Sequence, residues 1–182
     1  MPTDVKDTGQ KNPSEPKPFA IGYIRSTGEA LVIGGLFFGF GFVVLGLFGG
    51  VKPLAALAIV PLLVSFWHYP MIDRSQPQLG ANEQGLFVER IGFIDWASID
   101  KMALHQSSVR SIELVGLEIS LTSALPAAVN EKHMFPLWKS VMTRNWKLSR
   151  QADGTDHLTI KLNTLAGEPE EILQRLQAYR PV

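Results

Sequence analysis

Two apolar stretches lie between Ala30 and Tyr69, separated only by Gly49-Gly50-Val51-Lys52, and they constrain this chain more than any other feature. From Ala30 to Phe48 no side chain is charged or strongly polar, and from Pro53 to Trp67 the only polar side chain is Ser65. A hydrocarbon core about 30 Å thick needs roughly 20 helical residues at about 1.5 Å each. Both stretches are long enough, and the link between them has room only for a turn. The expected unit is a two-helix transmembrane hairpin over residues 29–70, with spans at about 30–49 and 53–69. A cleaved signal peptide fits poorly, because its apolar run would be about 7–15 residues behind a short basic leader. Here the leader has mixed charge, the run is longer, and a second span begins at once. A hairpin buried in a soluble core fits poorly too, since 182 residues cannot sheathe two helices that are apolar all round.

Orientation follows from basic residues near the span ends. Lys17 and Arg25 precede the first span, Arg74 and Arg90 follow the second, and the turn offers only Lys52. Both termini are therefore expected in the cytoplasm. Tyr23, Trp67 and Tyr69 are placed to form an interfacial aromatic belt on that side. No ionisable residue lies within either span, so transport by this chain alone is not expected. His68, beside Trp67, reads as a headgroup-level residue. Gly35, Gly39, Gly46 and Gly50 fall on one helical stripe, where a second backbone can approach closely. The stripe admits two readings: packing on the second span, whose Ala55, Ala56 and Ala58 are small, or contact with a second copy or another membrane protein. Pro61 is expected to bend the second helix.

Flanking the hairpin are a tail, residues 1–28, and a domain over residues 71–182. Met1 to Pro18 is rich in Pro, Lys, Asp, Gly and Ser and carries too little apolar surface to order itself. The segment from Asp73 to Asn82 reads as a linker. Beyond it, short strands are expected from Gly85 to Trp96 with a turn near Arg90 to Gly92, then at Ile99–His105, Val109–Val115, Leu117–Leu121 and His157–Leu162. Their alternation means one buried face and one wet face, as in an antiparallel sheet. Glu168-Pro169-Glu170-Glu171 opens a final helix with proline and acids in its first turn. Ile172, Leu173, Leu176 and Tyr179 form its apolar stripe.

The run Asn82-Glu83-Gln84-Gly85-Leu86, the pair Trp96 and Ile99, the strand Leu158 to Leu162 and the helix with Ile172, Leu173 and Leu176 together resemble bacterial pleckstrin-homology-like (PH-like) domains. Families of small bacterial membrane proteins that join a two-span hairpin to such a domain are similar over residues 30–180. The resemblance implies a membrane α-hairpin plus an α+β PH-like domain, a bent antiparallel barrel or sandwich capped by a C-terminal helix. It implies a multi-pass protein of the bacterial inner membrane, binding or assembly in place of catalysis, and no defined ligand. The basic loop with which some eukaryotic relatives hold phosphoinositides has no counterpart, since Arg90 stands alone beside Glu89.

Between Glu131 and Arg150, five basic residues (Lys132, Lys139, Arg144, Lys147 and Arg150) stand against Glu131 alone. Met134, Leu137 or Trp138, Val141 and Met142 recur at helical spacing, so this segment is expected to form a basic amphipathic helix. Such a helix can pack its apolar stripe on the sheet, lie on anionic lipid or meet a protein partner. The even balance of 17 basic and 17 acidic residues gives nucleic-acid binding no global support. With no cysteine, disulfides and thiolate metal sites are excluded. His105, His133 and His157 are singletons without metal-ligand spacing. Asp95, Asp100, Glu113 and Glu118 show no pattern that would converge an acid and a base. No nucleophile elbow or phosphate loop occurs. The chain is expected to be neither an enzyme nor a cofactor protein, with the lipid bilayer as its first partner.

Overall fold

The computed structural model describes residues 16–109, 112–152 and 154–180, and the first fifteen residues of the expected tail lie outside them. The first apolar stretch is helix α1, Arg25–Phe48, whose 24 residues make it roughly 36 Å long. It begins ahead of Ala30 because Arg25 and Glu29 pair across its first turn. At its end the Gly49 amide donates to the Leu45 carbonyl, and Gly50 turns the chain with a left-handed φ of +74°. Two pieces return, α2 (Lys52–Leu57) and α3 (Ile59–His68). Their division at Ala58 lies one turn before Pro61, which has no amide to offer the Leu57 carbonyl. The helical stretches Gly28–Phe48 and Lys52–Met71 are each long and apolar enough to cross a membrane, and only 17% and 22% of their apolar windows are buried. Core helices of a soluble protein would be mostly covered.

The rest of the chain forms two antiparallel sheets closed by one helix. Sheet one has the order β1-β2-β3-β4-β7, with β1 Phe19–Ile21, β2 Leu79–Asn82, β3 Gly85–Val88, β4 Gly92–Ile94 and β7 Val129–Lys132. Sheet two has the order β5-β6-β9-β8, with β5 Ile99–Val109, β6 Ile112–Leu121, β9 Asp156–Lys161 and β8 Trp146–Arg150. A short helix α4, Leu125–Ala128, joins β6 to β7, and α5, Pro169–Tyr179, closes the chain. Leu79, Leu86 and Ile94 from sheet one meet Leu117, Leu158 and Ile160 from sheet two in one buried core. Ile172 and Leu176 of α5 complete it. Trp96, anchored by its indole N–H to the Asn82 carbonyl at 2.8 Å, stacks on Tyr179 with ring centroids 5.4 Å apart.

Four sequence expectations change here. Phe19–Ile21, assigned to the tail, is an edge strand that pairs Phe19, Ala20 and Ile21 with Ala81, Gly80 and Leu79. Leu79–Asn82, assigned to a linker, is its partner. The strand expected at Val109–Val115 is divided: Val109 ends β5 and pairs with Ile112, while Ile112–Val115 runs on into the strand expected at Leu117–Leu121, with Gly116 lying across from both His105 and Lys161. The basic amphipathic helix expected between Glu131 and Arg150 is absent. That segment holds the end of β7, a short 3-10 turn over Leu137–Val141, and β8.

Candidate functional site

The region where the helices meet the sheets gathers backbone hydrogen bonds, a largely buried ion pair and aromatic contacts. Entry into α1 is fixed by backbone bonds. Ile24 donates to the Thr164 carbonyl at 2.9 Å, Ala166 donates to the Gly22 carbonyl at 2.9 Å, and Tyr23 bridges Leu165. The exit from α3 is fixed as well. Tyr69–Met71 forms a 3-10 turn, Asp73 accepts from the Ser75 amide, and the Gln78 amide donates to the Ile21 carbonyl at 2.8 Å. Strands β1 and β2 thus carry the two ends of the hairpin side by side.

A third fastening comes from residues 137–143. Thr143 donates its amide to the Trp67 carbonyl at 3.0 Å, and Trp138 sits against Tyr69 with centroids 6.0 Å apart. Lys139 turns inward and forms an ion pair with Asp73. Burial alone would raise the Asp73 carboxyl, but hydrogen bonds from Lys139 and Ser75 and the ammonium charge outweigh it and hold it below its ordinary range. From the other side Arg90 donates to the Met142 and Thr143 carbonyls at 3.1 and 2.7 Å. Its guanidinium also lies 3.2 Å from Glu89, in ion-pair contact without hydrogen-bond alignment. Trp146 closes the set by donating its indole N–H to the Glu89 carbonyl at 2.9 Å.

The basic residues expected to share one face are dispersed. Lys139 is buried in its ion pair, and Arg144 stacks over the Trp146 ring at 4.5 Å. Lys132 is exposed on β7 and Lys147 on β8, while Arg150 pairs with Asp156 at 3.2 Å. The Asp156 carboxyl is held low, first by the hydrogen bond it accepts from the Leu125 amide and then by Arg150. Of the three residues expected to form an aromatic belt, Trp67 and Tyr69 occupy the end of α3 and the turn after it. Tyr23 does not join them. It packs on the sandwich core, and burial, with the Glu89 carboxylate adding, pushes its hydroxyl upward.

The glycine stripe divides too. A Cβ on Gly35 would strike Ser65 and Pro61, one on Gly39 would strike Leu62, and one on Gly46 would come within 2.4 Å of the Ala55 nitrogen. These three face the returning helices, as does Gly28 against Met71. Gly50 faces open space and serves the turn instead. Three members of the stripe are therefore occupied by the chain's own helices, the reading in which the hairpin packs on itself. Ser65, the polar exception in the second span, donates to the Val32 carbonyl at 2.9 Å.

The titratable groups are spread widely. His105 lies 3.8 Å from Glu118 on neighbouring strands, His133 meets the edge of Phe87, and His157 contacts Gln151. Among the described residues no group of three His, Cys, Asp or Glu could hold a metal ion. A cavity of about 430 Å³ at the junction is lined by Arg25, Glu29, Asp73 and Arg74. Both acids there already have basic partners.

The chain matches no protein-family model, no curated protein and no solved structure. Its own geometry therefore carries the functional reading. The feature missed in the sequence is the junction loop itself. Its signal was Pro136, which interrupts the helix that the apolar spacing implied.

Proposed function

We propose that this chain is a non-enzymatic integral membrane protein that presents a PH-like binding or assembly domain at the inner face of a cell's plasma membrane. The observation that carries this reading is the triple fastening of the sheets to the helix ends: β1, the 3-10 turn after α3, and the loop at 137–143. A domain on a flexible tether would need none of these contacts. A rigid mount fixes which surface faces away from the bilayer, which is useful for assembling a partner and has no obvious use for an anchor alone. The two antiparallel sheets capped by α5 support the PH-like assignment, and the stacked Trp96 and buried Ile99 stand at the positions on which the resemblance rests.

Both termini lie in the cytoplasm on this reading, because Arg25 and Arg74 flank the domain end of the hairpin and Lys52 alone occupies the turn. The test is a pair of fusions after Val182. A fluorescent protein that matures only in the cytoplasm should glow, and a phosphatase active only outside it should stay silent. The opposite pair of results overturns the topology. A second reading, direct contact of the segment 132–150 with lipid, is favoured by the apolar side chains left exposed on the junction loop. An accessory subunit of a larger membrane complex would use the same mount.

A further inference from the structure

Met134, Leu137 and Val141 are 89%, 87% and 55% exposed, and Trp138 is 47% exposed. Four large apolar side chains within eight residues of one loop make a patch that water-facing loops seldom carry. We propose that this loop is a third membrane contact, a foot set into the boundary between headgroups and acyl chains beside α3. The inference rests on the reading that the two apolar helices span a bilayer.

Height supports it first. Trp138 touches Tyr69 at the end of α3, and Trp138 and Met142 line an apolar cavity of about 330 Å³ with Val32, Leu36, Leu62 and Phe66 of the helices. From Leu62 to Tyr69 the helix rises roughly 10 Å at about 1.5 Å per residue. The loop therefore lies alongside the outer turns of the span and not below them. An interfacial segment typically buries its apolar face about 5–10 Å into this same zone.

Polar bookkeeping supports it independently. A segment entering lipid must satisfy its polar groups internally. The one charged side chain at the tip, Lys139, is turned back onto Asp73. Ser140 donates its hydroxyl to the Leu137 carbonyl, Lys139 donates its amide to Pro136, and Met142 donates to Lys139. Pro136 has no amide to satisfy. The large side chains that remain outward, Met134, Leu137 and Val141, are apolar. Lys132, Arg144 and Lys147 flank the tip, and no acidic residue occurs from Lys132 to Ala152, so anionic headgroups are the favoured surroundings.

The absence of native cysteine permits a direct test in the full chain. Leu137→Cys, Phe40→Cys and Ala152→Cys are each labelled with a polarity-sensitive fluorophore and reconstituted into vesicles of mixed zwitterionic and anionic lipid. The vesicles carry a quencher at a shallow acyl position or a deep one. All three sites are exposed, and Ala152 follows β8 at the end of the strand opposite Trp146 and the junction. The label at 40 should be quenched by the deep probe, that at 137 by the shallow probe with blue-shifted emission, and that at 152 by neither. Quenching at 40 with a water-like label at 137 overturns the foot and leaves the anchored domain standing. No quenching at 40 overturns both. Blue-shifted emission at 137 that ignores lipid quenchers and grows with protein density would replace the bilayer with a second copy of the chain.

Discussion

At Arg90 the backbone takes a φ of +67°, a region that costs a non-glycine residue about 1–2 kcal/mol. The side chain offsets that cost by tying the β3–β4 turn to the carbonyls of Met142 and Thr143 and by pairing with buried Glu89. Arg90→Ala leaves Glu89 buried and unpaired, for which a loss of about 3–5 kcal/mol is typical. Arg90→Gly loses the same contacts but relieves the backbone, so it should be less damaging by roughly 1 kcal/mol. Chemical unfolding of the two variants, followed by Trp fluorescence, measures the difference. Equal stabilities would show that the turn is not strained. The sequence shows Glu89 and Arg90 as neighbours of opposite charge, and the pair is real. It does not show that the guanidinium reaches a segment more than fifty residues away, because that depends on how two sheets close. The same holds for Lys139. It reads as one of five basic residues awaiting a surface, whereas its partner, Asp73, lies across the junction.

For whole elements, periodicity was a good guide to which face is special and a poor guide to what covers it. Spacing places Gly35, Gly39 and Gly46 on one stripe, and the returning helices fill that stripe. Gly41, off the stripe, meets nothing within 4 Å. Gly46→Leu should therefore force α1 away from α2 and weaken the hairpin, whereas Gly41→Leu should be tolerated. Resistance of the purified protein to unfolding in denaturing detergent separates the two. Equal loss in both variants would mean that the Gly41 face is also covered, by another chain. Strand β9 and the closing helix α5 lie close to where their patterns place them, whereas β5 runs on to Val109 and β6 joins two segments that read as separate strands. The segment Glu131 to Arg150 does not, because its apolar residues follow helical spacing for a different reason. Met142 packs inward, while Met134, Leu137 and Val141 point away from the protein. Pro136 breaks any helix continuous from Met134 to Leu137, which hydrophobic spacing alone does not show.

Across the whole molecule, the least legible fact is that the chain on either side of the hairpin builds one sheet. Phe19–Ile21 is too short to show alternation and follows a polar, proline-rich leader, yet it pairs with Leu79–Asn82 from beyond the hairpin. Phe19, Ile21 and Tyr23 all pack against the core. A fragment of residues 75–182, which looks like a complete domain in the sequence, therefore lacks an edge strand. Its loss uncovers the part of the core on which Phe19, Ile21 and Tyr23 pack and leaves β2 as an unpaired edge, so the fragment should have less stability than the sandwich in the full chain. Joining residues 16–24 to the fragment through a flexible linker should restore it, because the strand returns without the hairpin. Urea unfolding of the two fragments decides the matter. A midpoint that rises when the strand is restored, and falls again with Ile21→Asp, is the expected result. Equal midpoints would show that the sandwich closes without help from its first strand.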